Sequence, residues 1–192
     1  MPPHVQRPRV RRCRAADLAL LEWDGRFTEH REIIRATFAQ QRRREALMLV
    51  ADVGGYPAGQ VWLDFTRHAG RGRGLLWAVR VHPQFLRRGL GTLLVAAAER
   101  RLSRRGFDQA LAGVETWNRP ARVWWERLGY RLQERCREPH SYATPDGRTV
   151  HAVADQWMLT RPLDLAWRAE RGQRRRADGT ACCATAIAAY VA

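Results

Sequence analysis

The residues best suited to chemistry lie in one stretch, Val79-Arg80-Val81-His82-Pro83-Gln84-Phe85-Leu86-Arg87-Arg88-Gly89-Leu90-Gly91-Thr92. An apolar run of strand length ends at Val81, and Pro83 stops it. Just past Gly91 begins an apolar stripe at helical spacing: Leu93, Leu94, Ala97, Ala98 and Leu102. The first backbone N–H groups of a helix have no partner within it, point outward and sit at the positive end of the macrodipole. The amides from Arg87 through Leu90 to Thr92 can therefore converge on an anion, a diphosphate above all. Gly89 and Gly91 remove side chains from where that anion would sit and open backbone angles closed to other residues, while Arg87 and Arg88 add mobile positive charge. Taken alone, two glycines and two arginines also fit a plain structural turn.

A second stretch, Asn118-Arg119-Pro120-Ala121-Arg122-Val123-Trp124-Trp125-Glu126-Arg127-Leu128-Gly129-Tyr130, follows one helix and one strand later. Pro120 suits the first turn of a short helix and Gly129 closes it, with Asn118 as the natural cap. Together the two stretches resemble the GNAT superfamily of acyl-CoA-dependent N-acyltransferases, in which a V-x-P-x-x-R-G-x-G-x-G turn precedes N-x-x-A-x-x-F-Y-E-x-L-G-F. Val81, Pro83, Gly89, Gly91, Asn118, Ala121, Glu126, Leu128 and Gly129 match. The resemblance implies that the turn binds the pyrophosphate of acetyl-CoA. The pantetheine arm would then enter a gap between splayed parallel strands, pairing with the backbone around Val79 and Val81 and with Asn118. It also implies transfer of an acetyl group to a primary amine by direct attack, with no metal.

Three departures bear on that expectation. Leu86 stands where the family usually has Arg or Gln at the start of the turn. Trp125 replaces the Tyr that commonly protonates the departing thiolate; an indole N–H donates a hydrogen bond but gives up no proton at neutral pH, so Trp125 is at most an electrostatic stabiliser that also touches the cofactor. Water or Tyr130 could supply the proton instead. The two positions where the family often carries a basic Glu are Leu75 and Gly113. The remaining carboxylates on elements near the expected cleft are Asp64 and Glu115, candidates for the base, with Glu22 and Asp24 in the loop facing the acceptor. Each also fits a salt-bridged surface acid in an Arg-rich chain, and His82 beside Pro83 fits packing. The missing acid and base keep open a module that binds or senses acyl-CoA without turnover.

The elements that must position these residues follow from periodicity. Val10 to Arg14 reads as a first strand, and Asp17 as the N-cap of an apolar helical stretch from Leu18 to Trp23. A helix over Glu29 to Arg44 leads into a buried strand, Ala46 to Ala51. The Gly54-Gly55-Tyr56-Pro57 turn then makes a hairpin with Gly59 to Thr66. Strand Leu75 to Val81, helix Gly91 to Arg105 and strand Asp108 to Thr116 form a right-handed parallel crossover. Strands at Tyr130 to Glu138 and Thr149 to Thr160 flank the turn Pro145-Asp146-Gly147. The expected fold is α/β: a mixed central sheet of about seven strands, its fourth and fifth parallel and splayed, flanked by four helices. Residues 1–163 form the N-acetyltransferase domain, and residues 164–192 a basic, low-complexity tail expected to be disordered.

The chain has 192 residues and a formal charge of +15, carried entirely by arginine because it contains no lysine. Such a balance favours polyanions without choosing among them. With no aromatic-basic interleaving on a sheet, specific nucleic-acid binding is not the expected role, and it would be betrayed by affinity falling steeply with salt. The four cysteines show no metal-ligand spacing. With no leader and no apolar run of roughly 20 residues, they indicate reduced thiols in a cytoplasmic chain off the membrane. The expected partner is a small-molecule or a protein or peptide amine, and the sequence leaves room for a homodimer.

Overall fold

Alternating side chains give the central strands two apolar faces, and both are covered. In the computed structural model, which describes residues 7–163, the strands are β1 (Arg9–Arg12), β2 (Ala46–Val53), β3 (Tyr56–Asp64), β4 (Arg73–Val81), β5 (Gln109–Glu115), β6 (Arg131–Ala143) and β7 (Thr149–Pro162). They form one sheet in the order β1-β2-β3-β4-β5-β7-β6, with β4 and β5 parallel and the other neighbours antiparallel. The helices are α1 (Arg31–Arg42), α2 (Leu90–Arg105) and α3 (Arg119–Arg127), preceded by a helical segment of two 3-10 turns, Ala15–Asp17 and Leu20–Glu22. This is the mixed seven-stranded sheet with four helical segments that the sequence implies. The proposed tail, from residue 164, lies outside the described residues.

One face of the sheet presents Leu49, Val61, Leu63, Leu76 and Ala112 to Leu94, Ala98 and Leu102 of α2 and to Trp125 of α3. The other presents Met48, Val50, Trp62, Trp77 and Leu111 to Ile33 and Ile34 of α1. Gly74 has no side chain because α2 lies on it; a Cβ there would stand 2.2 Å from a methyl of Leu102.

Two local expectations change. Asp17 is not an N-cap: its carboxylate accepts from the Arg14 amide at 2.7 Å from three residues along, and binds both terminal nitrogens of the Arg11 guanidinium. Burial pushes the Asp17 carboxyl up, but these bonds outweigh it and hold it below its ordinary value. The β6–β7 hairpin is also longer than the periodicity predicts, because β6 runs on through Pro139 to Ala143. A proline is tolerated there because it faces Val153 at a position that exchanges no ladder hydrogen bonds.

Candidate active site

The parallel pairing of β4 with β5 is short. It joins Arg73 to Gln109 and continues as far as Leu76 and Ala112, yet β4 runs on to Val81 and β5 to Glu115. The divergence begins at a bulge: Trp62 faces Trp77 and Gln60 faces Arg80, so β4 spends one extra residue against β3. Ala78 takes a left-handed φ of 49°, and Trp77 and Ala78 consecutively face the same side of the sheet. A bulge of this kind bends its strand and strengthens the local twist, which carries the end of β4 away from β5. The His82 amide donates to Ala58 on β3. By alternation, the backbone groups of Val79 and Val81 face into the opening.

At the mouth of that opening the chain turns into α2. Arg87 and Gly89 both adopt left-handed φ, 60° and 75°. No side chain caps the helix, and its first turn contains no acid. Among the described residues, no protein group accepts from the amides of residues 87 to 92; the first bond of the turn runs from the Leu93 amide to the Gly89 carbonyl at 3.0 Å. A Cβ built on Gly89 would meet nothing within 4 Å, so its glycine serves backbone angle and outside space. Gly91 has another reason. A Cβ there would come within 3.0 Å of the Trp124 ring, so the close approach of α3 requires it, not an unusual backbone angle. Val79, Val81, Arg87, Gly89, Leu90, Gly91, Thr92 and Trp124 share the lining of a cavity of about 230 Å³. Arg88 stacks on Phe85, its guanidinium carbon 5.3 Å from the ring centre. The amides, glycines and adjacent arginines fit a diphosphate group.

A second cavity, of about 470 Å³, has Arg26, Phe27 and His30 on one wall, Ala152 to Ala154 on another, and Glu115 and His140 among its lining. Arg80 links the two cavities. It lines the first, while its guanidinium lies 4.1 Å over the ring of Phe27 in the second. Burial lowers Arg80 to about 10, so it stays charged at neutral pH. Burial, with Arg80 adding to it, lowers His30 to about 4, so that imidazole is neutral.

The sequence candidates separate sharply. Glu115 is buried, lines the second cavity, and is held by the side-chain amide of Gln156 at 3.0 Å. Burial raises its pKa, against the opposing pull of the Gln156 bond. The site has no acid at Gly113 because Gln156 occupies the space; a Cβ there would lie 2.6 Å from its oxygen. Asp64 is not brought to the opening. It sits at the far end of β3, accepting from the amides of Thr66 and Arg67 and the Thr66 hydroxyl, and is paired to Arg67 at 3.0 Å. Asp64→Asn is therefore expected to leave kcat intact and lower stability by about 1–2 kcal/mol, read as a fall in Tm.

Glu22 likewise closes its own loop: Arg31 binds both its oxygens, at 2.6 and 2.8 Å, and Thr28 adds a third bond. These bonds, Arg31 first, hold its pKa below the ordinary value. Asp24 is exposed, 3.7 Å from His82, and like Glu22 lies outside the cavity lining. His82 packs edge-on against Trp23, Tyr56 and Phe85, as a structural histidine would. Asn118 caps α3, its side-chain oxygen accepting from the Ala121 amide at 3.1 Å. Trp125 is fully buried against Trp124 and Tyr130 and lines neither cavity; its indole N–H has no partner among the described residues. Burial, and the nearby Glu99 carboxylate, raise the Tyr130 phenol well above its ordinary value.

Gln156, Arg80, His30 and His140 were not legible as site residues. Gln156 holds the Glu115 carboxylate in place. Because its bond lowers the Glu115 pKa, Gln156→Ala is expected to move the acid limb of the pH–rate profile to higher pH while CoA affinity stays constant. Among the described residues no cluster of His, Cys, Asp and Glu could hold a metal ion, and no helix is long and apolar enough to cross a membrane.

Comparison with known proteins places this geometry. Residues 14–130 match the model of the acetyltransferase (GNAT) family. The fold is similar to the ribosomal-protein-S18-alanine N-acetyltransferase of Escherichia coli (TM-score 0.59, 21% identity, 82% of this chain and 94% of that one). It is also similar to a phosphinothricin acetyltransferase of Sinorhizobium meliloti in complex with AcCoA (TM-score 0.61, 20% identity, 81% and 88%). A third likeness is to the PaiA N-acetyltransferase of Thermoplasma acidophilum in complex with coenzyme A (TM-score 0.58, 14% identity, 82% and 99%). With the family model spanning more than half of its length, the chain belongs to the GNAT family and is an acetyl-CoA-dependent acyltransferase.

Proposed function

We propose that the protein moves an acetyl group from acetyl-CoA to a primary amine by direct attack in a ternary complex, with Glu115 as the base. The observation that carries this reading is the adjacency of two complementary cavities. One is lined by amides free to take a diphosphate, and the other contains a buried carboxylate with raised pKa. The diphosphate would rest on the amides from Arg87 to Thr92, and the pantetheine amides on the backbone of Val79 and Val81. The ammonium gives one proton to Glu115 before attack. The nitrogen then bonds the thioester carbonyl carbon, a second proton goes to solvent, and the C–S bond breaks. The departing thiolate takes a proton from water and Glu115 returns its own to solvent, so each turnover restores the base and releases one proton net. Arg80, charged and buried between the cavities, stabilises the oxygen on which negative charge develops.

The burial of Trp125 away from both cavities favours a second reading, in which the chain binds acyl-CoA without turnover. Release of free thiol from acetyl-CoA, measured with a broad panel of amines, separates the two. Amine-dependent release supports transfer. Tight CoA binding with no release above the amine-free rate leaves only the binding module.

A further inference from the structure

We propose that the acceptor is the free N-terminus of an extended peptide, held by strand addition to the open edge of β7; this rests on the amine-transfer reading above. β7 pairs with β5 only from Gln156 onward, while its pairing with β6 begins at Thr149. Residues 149 to 155 therefore present an edge that β5 does not cover, apart from one bond from the Thr116 amide to the Asp155 carbonyl at 2.9 Å. That bond also fixes which backbone groups face outward. Asp155 points away from β6, and by alternation so do Val153 and His151. Pro139 is consistent with this: it faces Val153 and has no N–H to offer the Val153 carbonyl.

The acceptor cavity follows this edge. It touches Ala152, Val153 and Ala154 in succession, residues whose side chains alternate between the faces of the sheet. It wraps the strand rather than lying on one face. Its rim is apolar and wet: Trp117 is 64% exposed and Val153 57% exposed. Deeper in, His140 is buried at 7% exposure, and the Nδ1 atoms of His140 and His30 have no partner among the described residues. Both residues line the cavity, with Tyr142 stacked between their rings. Buried polar atoms left unmatched in this way call for polar groups on the ligand.

Direction identifies the amine. β5 is antiparallel to β7 and ends at Glu115. A peptide continuing that line antiparallel along β7 has its N-terminus first, beside Glu115, and its chain running out past Val153 and His151. Chemistry agrees. At pH 7 an α-amine of pKa about 7.8 is roughly one-seventh neutral, against roughly one part in 2,500 for an alkylamine of pKa about 10.4. A site with one carboxylate asks least of itself with the α-amine.

The test measures thiol release by the full chain with unblocked peptides of one sequence, from a single amino-acid amide to an octapeptide. It adds peptides carrying one N-methylated backbone amide at each successive position, Nα-acetylated peptides containing lysine, and small primary amines. The expected kcat/KM rises about tenfold or more up to four or five residues and then levels. N-methylation raises KM about tenfold, one hydrogen bond's worth, at alternate positions only. Val153→Pro, which removes an outward N–H without touching the β6 ladder, raises the peptide KM similarly, with folding checked by Tm. Small amines or internal lysines used as well as unblocked peptides, or N-methyl effects without alternation, would overturn the proposal while leaving amine transfer standing. No thiol release with any amine would overturn both.

Discussion

Glu115→Gln is expected to lower kcat by roughly 10² to 10⁴, the usual contribution of a placed base, with CoA affinity unchanged. Gln is isosteric and still accepts the bond from Gln156, so the substitution removes the proton acceptor and little else. The pH profile provides the sharper evidence. The base acts when ionised, and burial raises its pKa. The acid limb of the wild-type profile should therefore lie above the ordinary carboxylate value of about 4.3 and be absent from the variant. Stability should move the other way. A carboxyl with a raised folded pKa binds its proton more tightly in the folded chain, so it costs stability as pH rises from its unfolded to its folded pKa, and the cost persists above that window. Glu115→Gln is thus expected to raise Tm at pH 7 and not at pH 4. A variant with wild-type kcat would remove Glu115 from the chemistry.

Thr92→Pro is expected to weaken CoA binding by roughly 10- to 100-fold, the loss of one hydrogen bond to a charged group, measured by calorimetry. Thr92 is the third residue of α2, where an amide has no intrahelical acceptor, and proline is accommodated in a helix's first turn. The preceding residue is Gly91, which has no Cβ to clash with the new ring. Fold stability should therefore change little. Thr92→Val, which keeps the amide and discards the hydroxyl, should bind CoA normally. If Thr92→Pro also bound CoA normally while Arg87→Ala and Arg88→Ala did not, the phosphates would be held by side chains and not by the helix start.

Much of the fold was legible because its signals are local. Pro83 and the stripe from Leu93 to Leu102 bracket α2 without reference to any other part of the chain, and Asn118 announces α3 through its own cap. The two 3-10 turns after β1 carry apolar residues at helical spacing, which predicts one helix; Trp23 ends them with a left-handed φ of 43°, immediately before the Asp24-Gly25 turn pair, which also takes positive φ. The extension of β6 through Pro139 was hidden because proline argues against a strand unless the partner register is known.

The candidate carboxylates show where sequence stops. Asp64 and Glu115 looked equivalent, each an acid at the end of a strand. The choice between them depends on which end of the sheet opens, and that is set by the Ala78 bulge and by the four-residue pairing of β4 with β5. His30 and His140, about 110 positions apart, share one cavity only because α1 and the β6–β7 hairpin meet over the same face of the sheet. By itself the sequence determined the glycine-bearing turn, the helix start behind it and the family, since backbone donors and glycine angles are properties of a few consecutive residues. Tertiary structure decided which carboxylate is buried beside a cavity, its Gln156 support and the second cavity itself, because burial, register and long-range contact exist only once the strands have paired.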